Sequence, residues 1–196
     1  MSKVLTHMTM SLDGFIADPQ DGIDELFGWY GAGDVRLTTA NDEISFSVDS
    51  DSAELLKSYM GDAVGALVSG RRLFDITDGW GDQHPVGAPV VVVTHQPPDD
   101  ADKWPRTTFV GDVSTAVERA KEIAGDKNVT ITSANIAAQA LDLGLVDEVH
   151  VSLAPVLLGK GIPYFANLGA APHRLDDPEV TLGKRATHLR YKVRRD

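Results

Sequence analysis

From residue 50 to residue 158 of this 196-residue chain, short β-branched runs alternate with segments of helical period, and this limits the fold more than any other feature. A strand that passes through a helix to the next strand returns in the same direction. The pattern therefore favours a mainly parallel sheet covered by helices on both faces. Strands are expected at about 3–10, 63–69, 89–95, 107–110, 128–132, 146–154, 178–184 and 187–194, on runs such as Val90-Val91-Val92-Val93-Thr94. Helices are expected at about 52–60, 71–77, 115–124 and 134–143. The third is the best marked: Thr115 and Glu118 have capping-box spacing, Val117, Ala120 and Ala124 share a face, and Gly125 follows. No helix separates the last two strands, which should pair antiparallel at one edge. One α/β domain accounts for the whole chain, with no repeat and no long linker.

Two stretches resist the scheme. Residues 18–49 carry Phe27, Trp29 and Tyr30 without a clear period, which suits either a binding flap or a surface segment packed down by its rings. The run from Gly79 to Gly87 is a second irregular connection, expected near the same edge.

Composition removes several kinds of chemistry. With no cysteine there is no disulfide framework, thiolate metal site or cysteine nucleophile. The 29 acids against 18 bases, a formal charge of −11, argue against nucleic-acid and anionic-membrane partners. No apolar run approaches the roughly 18 residues of a membrane span, and the start Met1-Ser2-Lys3-Val4-Leu5 is unlike a signal peptide, so a cytoplasmic protein is expected. The six histidines show no metal-binding spacing, and no metal is expected.

In a parallel sheet, ligands bind beyond the carboxyl ends of the strands, where helix N-termini present free N–H groups. Three strand ends qualify. The run from Gly65 to Ser69 leads into Gly70-Arg71-Arg72, where glycine and two guanidiniums suit a phosphate; alternatively, the arginines pair with local acids such as Asp75 or Asp78. The strand at 128–132 leads into Ser133, placed as N-cap of the next helix, with Ala134, Asn135 and Ile136 behind it. Thr94-His95 closes the third, suited to an adenine or ribose or else simple turn chemistry. There is no Walker loop, no strand-linked G-x-G-x-x-G and no nucleophile elbow.

Three ordered segments carry a resemblance. Met10-Ser11-Leu12-Asp13-Gly14-Phe15-Ile16-Ala17 is followed by Gly70-Arg71-Arg72-Leu73-Phe74-Asp75 with Trp80, and then by Gly144-Leu145-Val146-Asp147-Glu148 running through Pro155 to Phe165. Together, over about residues 3–165, they resemble the dihydrofolate-reductase-like family, in the branch related to the reductase domain of bacterial riboflavin biosynthesis. The resemblance implies a single-domain, three-layer α/β/α fold with a mostly parallel mixed sheet and antiparallel C-terminal edge strands.

It also implies NADPH as hydride donor. Gly70, Arg71 and Arg72 would meet its phosphates, Thr94 and His95 would lie along the adenosine, and Ser133, Ala134, Asn135 and Ile136 would cradle the pyrophosphate. Thr9 and Ile16 would border the nicotinamide. The family usually has Gly-Gly where this chain has Thr132-Ser133, a departure that could narrow the groove. Two carboxylates are candidates for catalysis or substrate orientation: Asp13 in the signature segment, otherwise a plain Asp-Gly turn, and Glu54, otherwise a first-turn helix acid.

The implied activity is reduction of a pyrimidine- or pteridine-like heterocycle, of the 5-amino-6-(5-phosphoribosylamino)uracil reductase type or dihydrofolate-reductase-like. Lys160, His173 and Arg174 are possible contacts for a substrate phosphate. A homodimer through the sheet edge is a further implication; the apolar stretch 149–158 suits that role or a central strand. The alternative is a non-catalytic nucleotide-binding or stress-associated protein that kept the fold, favoured by Thr132-Ser133.

Overall fold

The computed structural model describes residues 2–42 and 44–195. In chain order the strands are β1 (Val4–Ser11), β2 (Phe15–Ala17), β3 (Val35–Thr38), β4 (Ser45–Val48), β5 (Val64–Gly70), β6 (Val90–Val93), β7 (Thr107–Val110), β8 (Asn128–Ile131), β9 (Glu148–Ala154), β10 (Ile162–Pro163), β11 (Glu179–Gly183) and β12 (Ala186–Lys192). The α-helices are α1 (Asp24–Phe27), α2 (Ser50–Leu56), α3 (Arg71–Ile76), α4 (Val113–Ala124) and α5 (Ala134–Asp142).

Eight strands form one sheet in the order β11-β12-β9-β1-β8-β5-β6-β7. All neighbours from β9 to β7 run parallel, and β12 and β11 are added antiparallel at the end. The expected mixed sheet with an antiparallel C-terminal edge is therefore present. Residues 149–154 lie in β9, between β1 and β12, so that part of the apolar stretch is a central strand.

Strand alternation divides the core in two. On one face Val4, Ala66, Val68, Val129 and Ile131 pack against α4 and α5 through Ala116, Val117, Ala120, Ile136 and Ala140. On the other, Leu67, Val90 and Val92 meet Phe74 of α3, and Trp29, Ala53, Leu56 and Tyr59 form a cluster around α2. These are the three layers. Gly65 is required where α4 ends against β5, since a Cβ there would come 2.5 Å from the Ala124 Cα.

Helix α4 begins earlier than its capping-box spacing suggests. Its N-cap is Asp112, whose carboxylate accepts from the Thr115 amide at 2.9 Å and the Thr115 hydroxyl at 2.7 Å. Thr115 is thus the third helical residue, because a charged acceptor outcompetes a hydroxyl for the free amides. Residues 18–49 are more ordered than expected. They contain α1 and the antiparallel β3–β4 pair, and Tyr30 stacks between Trp29 at 3.9 Å and Phe46 at 4.2 Å. Trp29 is 1% exposed, so its ring packs the segment down. The run from Gly79 to Gly87 touches this segment, where the Ala40 amide donates to the Pro85 carbonyl.

Candidate active site

The carboxyl ends of β5, β6 and β8 lie side by side, because the register places Gly70 opposite Val93 and Val68 opposite Ile131. Gly70 and Ser133 are bonded directly: the Gly70 amide donates to the Ser133 hydroxyl at 2.8 Å. The two turns singled out in the sequence are therefore one structure. A Cβ on Gly70 would stand 3.3 Å from Ile136 Cγ1, so glycine keeps this crevice open.

Ser133 holds the N-cap position of α5, but its side chain does not cap the helix. The hydroxyl turns toward β5 instead, because the Gly70 amide lies nearer the strand end than the helix amides do. The first bond inside α5 runs from the Ala137 amide to the Ser133 carbonyl. The amides of Ala134, Asn135 and Ile136 are the ones a helix start leaves for a ligand or solvent. Ser133 thus braces the crevice from the strand side.

Both arginines carry carboxylate partners. Arg71 Nε donates to Asp75 at 2.7 Å, and its Nη1 reaches the Gln96 carbonyl, which ties α3 to the turn after β6. Arg72 makes a forked contact with Asp21, at 3.1 and 2.6 Å, rather than with Asp78. Asp21 raises the Arg72 pKa above its ordinary value. The turn after β2 is thereby held to the start of α3. Thr94 closes its own turn, accepting from the Gln96 amide at 3.2 Å, with exposed His95 between them.

Thr9 and Ile16 are both buried but face opposite sides of the sheet. Thr9 accepts from the Trp29 indole at 3.2 Å, while Ile16 belongs to the core under α4 and α5. Glu54 is far more exposed: its carboxylate pairs with Lys57 at 2.7 Å, its side chain is 77% exposed, and it lines neither of the two cavities described below.

Asp13 is held by three donors: the Ser11 hydroxyl at 2.6 Å and the amides of Leu158 and Gly159 at 3.1 and 2.6 Å. The Ser11 hydroxyl, then the Gly159 and Leu158 amides, hold its pKa below the ordinary carboxylate value. So engaged, Asp13 is an anion that clamps the loop after β9 onto the signature turn. Asp13→Ala should speed hydrogen exchange of the Leu158 and Gly159 amides by at least about tenfold, because local opening then exposes them. Unchanged protection would refute the clamp.

Beside this clamp, at the carboxyl ends of β1 and β9, lies a cavity of about 360 Å³ that includes Leu12, Pro155, Arg185 and Thr187. The sequence did not single out Arg185; its only signal was a basic residue in the Gly183-Lys184-Arg185 hairpin turn. Among the expected phosphate contacts, His173 bonds Asp142 at the far end of α5, at 2.8 Å, and neighbours Arg174, whose carbonyl accepts from the Arg194 amide. Both lie at the opposite end of the sheet, because β12 runs antiparallel and carries the C-terminus there. Only Lys160, in the loop that Asp13 clamps, stays near the site. A larger cavity of about 700 Å³ opens among Leu37, Met60, Val64 and Ile123 and contains none of these residues. Among the described residues no group of side chains could hold a metal, and no helix is long and apolar enough to cross a membrane.

Residues 2–188 match the family model described as the RibD C-terminal domain. A protein named for riboflavin biosynthesis from Shewanella sp. PV-4 has a similar structure, with a TM-score of 0.68, 24% identity, and 98% and 99% of the two chains covered. RibD of Acinetobacter baumannii superposes with a TM-score of 0.63 and 16% identity, over 100% of this chain and 59% of that one. The deaminase/5-amino-6-(5-phosphoribosylamino)uracil reductase of Thermotoga maritima gives 0.59 and 13%, over 98% of this chain and 57% of that one. At these identities the likeness is one of fold. No curated protein matches the chain by sequence.

Proposed function

The chain belongs to the RibD C-terminal domain family, a family of riboflavin-pathway reductases, and from this premise we propose that it is an NADPH-dependent reductase of a pyrimidine- or pteridine-like heterocycle. The observation that carries the reading is the bond from the Gly70 amide to the Ser133 hydroxyl, which joins two anion-suited turns into one crevice. The donor set fits a dinucleotide. It offers the free amides at the start of α5, two guanidiniums at the start of α3, and an open crevice at Gly70 where a Cβ would intrude. When bound, NADPH supplies the hydride.

The protein's own residues bind and orient. Arg71 and Arg72 give the positive charge that a 2′-phosphate needs in an otherwise acidic chain. Asp13 fixes the loop that would border the substrate, and Thr94 with His95 would line the adenosine. Thr132-Ser133 is compatible with this role, since the Ser133 hydroxyl is turned away from the helix N-terminus. The same proposal makes the protein a cytoplasmic homodimer. In support, β11 is the edge strand on the antiparallel side of the sheet and exposes Val180 and Leu182.

The test is NADPH binding by calorimetry, followed by NADPH oxidation with 5-amino-6-(5-phosphoribosylamino)uracil and a panel of pterins and aminopyrimidines. Binding with turnover of one class is expected. No binding and no turnover would end the reading in favour of a non-catalytic protein.

A further inference from the structure

We propose that Arg185 is the anion-binding residue of the substrate subsite, taking the phosphate of a phosphoribosyl-type heterocycle whose apolar ring face rests on Leu12 and Pro155. The cavity has the composition of such a subsite. Leu12, Leu153, Ala154 and Pro155 bring apolar surface, Arg185 and Thr187 bring the only polar side chains, and no carboxylate lines it. A ring with a single anionic tail matches this division.

Among the described residues Arg36, Arg106 and Arg185 are not ion-paired to a carboxylate, and of these three Arg185 is the one that lines this cavity. In a chain with 29 acids against 18 bases, Arg71, Arg72, Arg119, Arg190, Arg194 and Arg195 each pair with a carboxylate. Arg185 has no carboxylate partner among the described residues, although it is exposed and has acids nearby in sequence at Asp176, Asp177 and Glu179. A guanidinium left free beside a cavity is available to a ligand at no cost in broken ion pairs.

The mount is rigid. The Lys184 amide donates to Asp49 Oδ2 at 2.8 Å, and the same carboxylate caps α2 through the Asp51 and Ser52 amides. Gly183 lies so close to α2 that a Cβ would come 2.2 Å from the Ser52 hydroxyl. The hairpin turn is therefore fixed to the α2 N-terminus. Arg185 itself sits at φ +63°, which side-chain-bearing residues seldom adopt, and its guanidinium lies over Gly28, where a Cβ would stand 3.4 Å from Nη2. With the turn fixed, a ligand has to order only the side chain of Arg185 and not its backbone.

The inference takes the substrate's heterocycle from the proposed function, but its test needs neither cofactor nor turnover. Arg185→Asn removes the charge and suits the positive φ, so the melting temperature should be unchanged. Calorimetry would compare 5-amino-6-(5-phosphoribosylamino)uracil with its phosphate-free ribosyl analogue, on the native protein, on Arg185→Asn and on Arg185→Lys. The native protein should prefer the phosphorylated ligand by roughly tenfold or more, as a charge-assisted contact commands. In Arg185→Asn that preference should fall close to one, while Arg185→Lys keeps part of it and NADPH affinity stays within about twofold of native. An unchanged preference in Arg185→Asn, or no native preference at all, would overturn the proposal. So would a parallel loss of NADPH affinity, which would assign Arg185 to the cofactor's phosphates instead. A native protein that shows the preference without oxidising NADPH would leave the subsite standing and remove the reductase.

Discussion

Replacing Arg71 and Arg72 together by glutamine should weaken NADPH binding by about a hundredfold or more, since two charge-assisted contacts are lost at once. The fold should survive. Arg72 and its partner Asp21 are 70% and 20% exposed, Arg71 and Asp75 are 35% and 50% exposed, and ion pairs in such positions contribute little to stability. What remains at the strand ends after the change is repulsive. Asp75 and Asp21 lose their guanidiniums and face any incoming phosphate with uncompensated negative charge. NADH lacks the 2′-phosphate, so its affinity should fall less, and the preference for NADPH should shrink. Titrations of both nucleotides at two salt concentrations would check this, the native protein showing the steeper salt dependence. Equal loss for NADPH and NADH would place the arginines away from the 2′-phosphate, and no loss for either would remove them from the cofactor site.

The sheet was legible in the sequence because its signal is local. The segment 107–110 coincides with β7, and the four expected helices overlap α2 to α5. What escaped depends on partners distant in sequence. Strands β3 and β4 are four residues each and are stabilised by Trp29 and Tyr30, so no period marks them. Asp21 meets Arg72 across 51 positions, which is why Asp75 and Asp78 stood as the only visible partners. The hydroxyl of Ser133 had a helix cap as its obvious use, and only the parallel register of β5 and β8 reveals the other. Asp13 illustrates the same limit: the Asp-Gly pair suggests a turn, but the two amides it holds lie 145 and 146 residues away.

The buried and half-buried histidines escaped for the same reason, and they carry the largest stability prediction. His7, His150 and His188 stand on β1, β9 and β12, one per strand, on the face covered by α2. Hydrogen bonds of 2.9 Å join His7 Nε2 to the Ser152 hydroxyl, Ser152 to His188 Nδ1, and His188 Nε2 to the Ser52 hydroxyl, which donates to Asp49 at 2.7 Å. The Asp49 carboxylate can only accept, and each serine has one proton to give, so every proton in the chain points one way. Ser52 accepts from His188 Nε2–H, Ser152 donates to His188 Nδ1, and His7 Nε2–H donates to Ser152. His188 is therefore neutral, since its Nδ1 must accept, and adding a proton to it breaks the bond it accepts from Ser152. His7 donates through Nε2–H and is kept neutral by burial.

Burial, reinforced by the neighbouring His150 and His188, pushes the His7 pKa down to about 3, and burial also lowers His150 and His188. Burial takes His84 to about 3 as well, and its Nδ1 accepts from the Val86 amide. Folded values below the unfolded 6.5 mean that the unfolded chain takes up protons first as the pH falls. The stabilisation is complete above about pH 6.5 and is lost on the way down toward pH 3. Between pH 7.5 and 5, His7 and His84 should each remove about 2 kcal/mol, lowering the melting temperature by roughly 8–16 °C in all. Asp49 and Glu148, held down to about 2, act only below about pH 4.5 and leave this window to the histidines. One effect opposes: protonation relieves the repulsion behind the charge of −11. That repulsion is spread over the surface and screened at physiological salt, while the histidine penalty is local, so the histidines prevail. Melting curves from pH 7.5 to 5 would show it. His7→Gln keeps a neutral donor for Ser152 and should flatten the slope by up to about half, since His84, His150 and His188 still contribute; a melting temperature that holds steady in the native protein, or falls as steeply in the variant, would refute the assignment.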